Sequence, residues 1–487
     1  MENLKIKRHN INEQFVDQLA SKYGLPLHVY FPDKILQNVE SFRAVSKELY
    51  PESQFNFAVK SNPSRGALRA ASKFKLAADV SSEFELRAAL GEGIPGENLV
   101  CNGCGKTDRY LRTGVDAGVL FAADSFEELD LLNSEAKFQS KSARVMIRFV
   151  GMPLKGFSSL DQSTAADWTK FGIDIKDAKK VFTFVKERSC LQFEGLSAHI
   201  GTQVCNPKGY KVLIDNMLSI VEIAKNQGLT VRAIDLGGGY PESYLSEEDW
   251  DGFTSNLIQQ IDGKLSDEES VTWNKDPMGF AHLKSGETRK NPQWIGKAYR
   301  TENPGSEMFR YILTHKVKSG ERLCDYLKKI GSPRIILEPG RAFFGTSGIT
   351  ITEVMGVKYI NDNPVVFVDM GVNNHGTNLV APDIFPFEVI PKKGNDSNVG
   401  VFIGGRLCYT GDMISKVKVK LNRLPVRGEK MIIHNTGSYC ADHFASNHCG
   451  FARPAKVAIW NDGKVEVWRK GEEFSDVFGE IETSQSK

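Results

Sequence analysis

The sequence has almost no excess of charge of either sign: 62 Lys and Arg face 60 Asp and Glu, a formal net charge of +2. A chain this balanced offers no basic field to nucleic acid or to a membrane surface, so a small-molecule ligand is the expected partner. Long apolar runs are missing as well. No stretch approaches the ~20 residues of a membrane span. The N-terminus, Met1-Glu-Asn-Leu-Lys-Ile-Lys-Arg-His-Asn10, is polar where a secretory signal needs an apolar segment. A soluble, cytoplasmic protein is expected. Cysteine is scarce, 8 in 487 residues with no regular spacing, which excludes a disulfide framework and reads as reduced thiols. Cys101-Asn-Gly-Cys104 has the spacing of half a zinc site, but no second Cys/His pair at zinc-ribbon spacing accompanies it, so no metal is expected.

What the chain does have is alternation. From Pro32 to about Gly345, short β-rich runs alternate with amphipathic stretches. The runs are Gln54–Val59, Leu76–Val80, Val119–Ala122, Ala143–Phe149, Phe193–His199, Ala233–Leu236 and Arg334–Glu338. Such alternation predicts parallel strands with crossover helices, an α/β fold, and the number of repeats favours a closed barrel, which commonly takes roughly 250 residues. Ser82 and Ser125 stand where capping residues would start two of the helices. After Gly345 the pattern becomes short alternating strands with turn signals, as in Val365–Asp369, Ser415–Leu421, Lys430–Ile433 and Lys464–Trp468, which predicts a second, all-β domain. Between Gly239 and Glu338 the spacing is far longer than a strand-helix-strand unit needs, and an insertion is expected at about 265–318, with Trp273, Trp294 and Tyr299. It reads equally as a surface excursion and as a lid or docking element.

Several residues in this frame can carry chemistry. Lys60 ends an apolar strand and is followed by Ser61-Asn62-Pro63, which turns the chain into a loop at the C-terminal mouth of a barrel strand. His199 ends another strand. Gly237-Gly-Gly239 follows the apolar Ile234-Asp-Leu236, and consecutive glycines let backbone N–H groups close on an anion, although such a triplet is about as often only a turn. Glu338-Pro-Gly-Arg341 places a carboxylate and a planar guanidinium fork at the last barrel strand. Taken singly, each of these has an ordinary structural reading.

Taken in order, they resemble one family. Ala58-Val-Lys-Ser-Asn-Pro63 is similar to the cofactor-lysine motif of the diaminopimelate and ornithine decarboxylases, the fold-type III group dependent on pyridoxal 5'-phosphate (PLP). The other motifs follow in the family's order over nearly the whole chain. Asp79-Val-Ser-Ser-Glu-Phe-Glu-Leu86 resembles its second-strand motif, and Asn102-Gly-Cys-Gly-Lys106 the next strand end, with Cys104 where the family usually has proline. His199-Ile-Gly-Thr202-Gln203 resembles the histidine motif, Gly237–Gly239 the phosphate loop, and Gly405-Arg-Leu-Cys408-Tyr-Thr-Gly-Asp412 the cysteine motif. Gly437-Ser-Tyr439, with Asn447 and Arg453-Pro454 after it, resembles the tyrosine motif.

The resemblance implies an alanine-racemase-like (β/α)8 barrel at 32–345, with the insertion, and a C-terminal all-β domain made of 1–31 and 346–487. It implies that Lys60 holds PLP as a Schiff base and that His199 stacks on the ring. Thr202, Gly237, Gly238, Gly239, Gly340, Arg341 and Tyr439 would serve the phosphate, and Glu338 would keep the pyridine nitrogen protonated. Asp79, Glu83 and Arg148 would orient the cofactor and its lysine. Cys408 would be the candidate acid, contributed across a homodimer interface, with Arg341, His375, Tyr409 and Asp412 toward the substrate.

Two other readings remain. A PLP-dependent amino-acid racemase on a similar architecture usually pairs the pyridine nitrogen with arginine, whereas this chain has Glu338. A catalytically silent homologue should have lost the lysine or the phosphate loop, and both are present. The chain also departs from the diaminopimelate branch. Where that branch has an acidic residue after the motif cysteine, this sequence has Tyr409. Its Arg-Pro pair is replaced by Asn374-His-Gly-Thr-Asn-Leu-Val-Ala-Pro382. An amino acid other than meso-diaminopimelate is the expected substrate.

Overall fold

A computed structural model describes residues 11–154, 163–278, 300–376, 384–391 and 399–479, with the backbone of 281–282 and 288–289. The described residues form two compact units, one within Pro32–Asp262 and Pro277–Ser347, the other within Met1–Phe31, Gly263–Asp276 and Gly348–Lys487.

The first unit is a closed barrel of eight parallel strands: Ser53–Ala58, Ala77–Val80, Leu99–Cys101, Leu120–Ala123, Ala143–Val150, Leu191–Ser197, Ala233–Asp235 and Arg334–Leu337. Each pairs with the next, and the ring closes where Ile336 registers with Gln54. Val100, Leu120, Ala122, Met146, Ala233 and Ile336 form a buried apolar cluster of this unit. Helices follow the strands as the capping serines foretold: Ser82 Oγ accepts the Glu85 N–H at 3.2 Å and Ser125 Oγ the Glu128 N–H at 3.1 Å. The shortest barrel strand, Leu99–Cys101, has three residues and no run long enough to announce itself in the sequence. Its Cys101 is fully buried, and burial pushes the thiol up to about 12, the state of a core residue.

The second unit is a mixed sheet in the order Met413–Leu421, Val399–Gly404, Asn363–Val368, Gly348–Ile360, Leu27–Tyr30, Ala455–Ile459, Val465–Arg469; Lys430–His434 pairs with Gly348–Ile360, and Phe387–Ile390 with Lys430–His434. The strand Leu27–Tyr30 is central, antiparallel to Gly348–Ile360 and parallel to Ala455–Ile459. Helix Glu13–Tyr23 seals one face of this sheet with Val16 and Leu19 against Val29, Ile351 and Val457.

The stretch expected as one insertion divides into parts of different character. Residues 263–276 lie on the β unit: Thr272 bridges Val417, Lys418 N donates to Val271 O at 2.9 Å, and Trp273 meets Phe402 edge-on at 5.3 Å. Ser306–Thr314 is a regular barrel helix. Its Met308, Phe309, Ile312 and Leu313 recur on one face and are buried, Phe309 against Phe42 and Phe55. The excursion from the barrel pattern is therefore narrower than 265–318. Trp294 and Tyr299 lie outside the described residues.

Candidate active site

All eight barrel strands deliver a polar residue at or just past their C-terminal ends, the end at which such barrels do chemistry. Lys60 sits in a single turn, Val59–Ser61, held by Ser61 Oγ donating to Ala58 O at 2.7 Å. Its Nζ reaches Asp79 Oδ2 at 2.8 Å; the lysine side chain is 41% exposed and the aspartate wholly buried. The other Asp79 oxygen accepts Asn102 Nδ2 at 2.8 Å, and the same amide donates to Glu338 Oε1 at 2.7 Å. Asp124 and Arg148 add a looser pair at 4.0 Å, with the Arg148 guanidinium 4.2 Å over Phe171. Arg148 Nε is buried and makes no hydrogen bond.

Electrostatics follow from this crowding. Burial, then Asp235, then Asp79 push Glu338 well above the carboxylate range, with Lys60 and Arg148 opposing. Asp235 is raised to about 6, mainly by burial. Burial, with Lys60 and Arg148 nearby, depresses His199 well below its usual value, so its ring is neutral. Its Nδ1 accepts the Gly201 N–H at 3.0 Å, which leaves the proton to Nε2.

The glycine triplet has a packing cause that is visible only in three dimensions. A Cβ on Gly237, at φ +66°, would stand 2.8 Å from His199 Cδ2; one on Gly238 would stand 2.8 Å from the Glu338 carbonyl; one on Gly239 would stand 2.8 Å from the Gly201 carbonyl. The missing side chains let the strand ends bearing His199 and Glu338 close together. Thr202 is half-buried on the neighbouring loop. Beside it Gln203 ties that loop to the glycine loop, donating to Glu242 O at 2.6 Å and accepting the Glu242 N–H at 3.0 Å. Gly340 and Arg341 open the short helix Arg341–Phe344.

Two residues that sequence reasoning missed belong to this mouth. Glu83, expected near the lysine, pairs instead with Arg87 at 3.4 Å and Arg109 at 3.1 Å. Two positions later Glu85 points inward: it accepts the Ser81 N–H at 2.7 Å, and burial and Asp79 raise its carboxyl while Lys60 opposes. The helical repeat starting at Ser82 separates the two faces and is the signal that could have found it. Glu242 is raised to about 8 by burial, against Lys34 and Arg341. No motif marked it.

In the β unit, Asp412 is buried and occupied. Its Oδ1 accepts the Val372 N–H at 2.7 Å and its Oδ2 the Leu407 N–H at 2.6 Å, so it organises the loop rather than presenting a free carboxylate. That loop exposes Cys408 and leaves Tyr409 54% exposed. Tyr439 adopts φ +59° and packs edge-on to His443 at 5.6 Å. His375 is fully buried and packs on Phe385 at 4.8 Å.

The barrel mouth fits PLP on its own geometry. It holds a partly exposed lysine, a buried acid able to meet a ring nitrogen, a flat neutral imidazole, a glycine loop and a buried guanidinium with an unmet donor. Comparison with known proteins agrees. Residues 36–274 match the model of the pyridoxal-dependent decarboxylase family's pyridoxal-binding domain. Diaminopimelate decarboxylase of Aquifex aeolicus is 27% identical over 462 residues, 94% of this chain and 91% of that protein. The crystal structure of diaminopimelate decarboxylase from M. jannaschii superposes with a TM-score of 0.74 at 22% identity, covering 96% of this chain and 94% of that one. That of the Helicobacter pylori enzyme complexed with L-lysine gives 0.72 at 22%, covering 95% and 98%. Over nearly its whole length this chain is similar to PLP-dependent amino-acid decarboxylases, and its residues 36–274 match their pyridoxal-binding domain.

Proposed function

We propose that the chain removes the carboxylate of an amino acid other than meso-diaminopimelate, with Lys60 as the cofactor lysine. The observation that carries the decarboxylase reading over the racemase one is the buried Glu338 at the end of the eighth strand. An acid against the ring nitrogen favours the full electron sink that loss of CO2 requires, where arginine would weaken it. Bound PLP supplies that sink. Asp79 holds the Lys60 ammonium at 2.8 Å and is placed to receive it again when a substrate amine displaces it. The neutral His199 offers a flat face without a competing charge. Gly237, Gly238, Gly239, Thr202, Gly340, Arg341 and Tyr439 are proposed for the phosphate, with Arg148 as a buried cation balancing the acids.

The substrate reading rests on two departures in the sequence. Tyr409 takes the place of an acidic residue, and no arginine occurs between Gly371 and Pro391. Each lost charge-assisted contact is worth about 1.5–3 kcal/mol when desolvated. Tyr409, exposed on the loop that Asp412 braces, is proposed to meet a distal end that is neutral, bulkier or differently charged; His375, expected there too, is buried against Phe385 and is left out of the proposal. We also propose a homodimer in which Cys408 of one chain serves the barrel of the other and would donate the proton that takes the place of the departing carboxylate. The exposed Cys408 on a braced loop supports this. The test is release of CO2 against inversion of the α-carbon over a panel of diamino acids, their D-forms and N-substituted amino acids. Inversion without CO2 release would favour the racemase.

A further inference from the structure

In the glycine loop of the barrel unit every carbonyl is engaged, while two of the N–H groups are not. Gly237 O accepts the Glu338 N–H at 2.9 Å, Gly239 O accepts the Val204 N–H at 2.9 Å, and between them Gly238 O accepts the hydroxyl of Tyr210 at 3.1 Å. The Gly237 N–H is spent on Asp235 Oδ1 at 2.8 Å, whereas those of Gly238 and Gly239 meet no acceptor among the described residues. Amides left unmet in a buried loop cost free energy that an anion recovers. In a planar trans peptide the carbonyl and the N–H that follows it point in opposite directions. Fixing the carbonyl of Gly237 therefore aims the N–H of Gly238, and fixing that of Gly238 aims the N–H of Gly239. The first carbonyl is held by backbone, the second by a side chain. Tyr210 reaches it from the first turn of the helix Lys208–Asn226, wholly buried, with its ring stacked on Tyr240 at 5.6 Å. Burial holds the phenol well above its ordinary value, so it keeps its proton and donates. A Cβ on Gly239 would stand 3.0 Å from that hydroxyl, a second reason for glycine there.

We propose that Tyr210 is a positioning residue for the cofactor's phosphate: its hydroxyl turns the Gly238–Gly239 peptide so that the Gly239 N–H, beside that of Gly238, faces the anion. This rests on the placement of the phosphate at the glycine loop proposed above. Gly237 then contributes room, and Gly238 and Gly239 contribute the donors. Without the hydroxyl, the Gly238 carbonyl loses its partner, and a peptide with glycine on both sides rotates at little steric cost. The tyrosine acts through that peptide and not by contact with the phosphate.

Tyr210→Phe keeps the ring and its stacking on Tyr240 and removes only the hydroxyl. Full-length protein stripped of cofactor is titrated with PLP and with pyridoxal, which lacks the phosphate, and binding is followed by cofactor absorbance. The wild type should bind PLP more tightly than pyridoxal. Tyr210→Phe should weaken PLP by about tenfold, leave pyridoxal unchanged and shift the phosphorus NMR signal of bound PLP. PLP held equally by both proteins overturns the role of Tyr210. So does an equal weakening of PLP and pyridoxal, since a residue that only supports the fold would act on both. Should Tyr210→Phe not fold, amide hydrogen exchange in the wild type carries the test. Exchange at Gly238 and Gly239 should slow with PLP and with inorganic phosphate, but not with pyridoxal. No slowing with PLP overturns the placement of the phosphate on this loop and the role of Tyr210 with it. Slowing in the wild type beside unweakened PLP binding in Tyr210→Phe overturns the role of Tyr210 alone.

Discussion

Lys60 and Glu242 show how a single side chain's surroundings set its task. The Lys60 ammonium is held by a buried aspartate yet remains 41% exposed, a placement for a group that must change partners. Lys60→Ala should lower activity by about 10³-fold or more while leaving the melting temperature near that of the wild type, because the side chain is not core. Activity assays paired with thermal melts check both halves. Glu242 makes a different demand. Its carboxyl, raised to about 8 against an ordinary 4.5, contributes stability that is fully present below the unfolded value and lost as pH rises through the folded one. His199 is depressed, so its own contribution fades only as pH falls below about 6.5 and does not interfere on the alkaline side. Melts of cofactor-free protein between about pH 6.5 and 9 should show a decline of a few kcal/mol in the wild type that Glu242→Gln reduces, the raised Glu338 carboxyl contributing in the same direction. A parallel decline in both proteins would assign the effect elsewhere.

At the scale of elements, legibility followed length and period. Seven barrel strands were readable because each is a β-branched or aromatic run bounded by turn residues, and their observed limits differ from the readings by one or two positions at most ends. Leu99–Cys101 was not readable from periodicity, since three residues cannot show a period, and only the motif resemblance at Asn102 marked its end. The glycine triplet was visible as a loop, but its contact with His199 and the Glu338 carbonyl joins segments about 40 and 100 residues apart, which spacing cannot reveal. Helix Ser306–Thr314 was absorbed into the expected insertion although its buried face carries a helical period. Two deletions separate these parts. Removing 279–299 should leave a folded protein that still binds PLP, with any loss confined to substrate handling. Removing 265–318 should abolish cooperative unfolding, because Phe309 and its neighbours leave a cavity beside Phe42 and Phe55. Circular dichroism melts and cofactor absorbance distinguish the outcomes; a cooperative melt after the larger deletion would contradict the packing role of that helix.

For the whole molecule, the order of motifs carried the family, while the assembly was not written in any one of them. The barrel unit supplies Lys60, Asp79, His199 and Glu338 from its own strands; Cys408 and Tyr409 belong to the β unit, on a loop whose exposure suits service to a second copy. Mixing Lys60→Ala with Cys408→Ala, each impaired alone, should restore partial activity through hybrid dimers, as each hybrid retains one intact combination. No recovery despite demonstrated subunit exchange would remove the shared site. The proposed substrate choice rests on the same loop, where Tyr409 stands in the sequence in place of an acidic residue. The most direct measurement is kcat/KM for CO2 release from meso-diaminopimelate against the best amino acid of the panel. Two missing charge-assisted contacts predict a deficit of about 10²-fold or more for diaminopimelate. Diaminopimelate as the best substrate would contradict the substrate reading, and no CO2 release from any amino acid by PLP-loaded protein would contradict the decarboxylase itself.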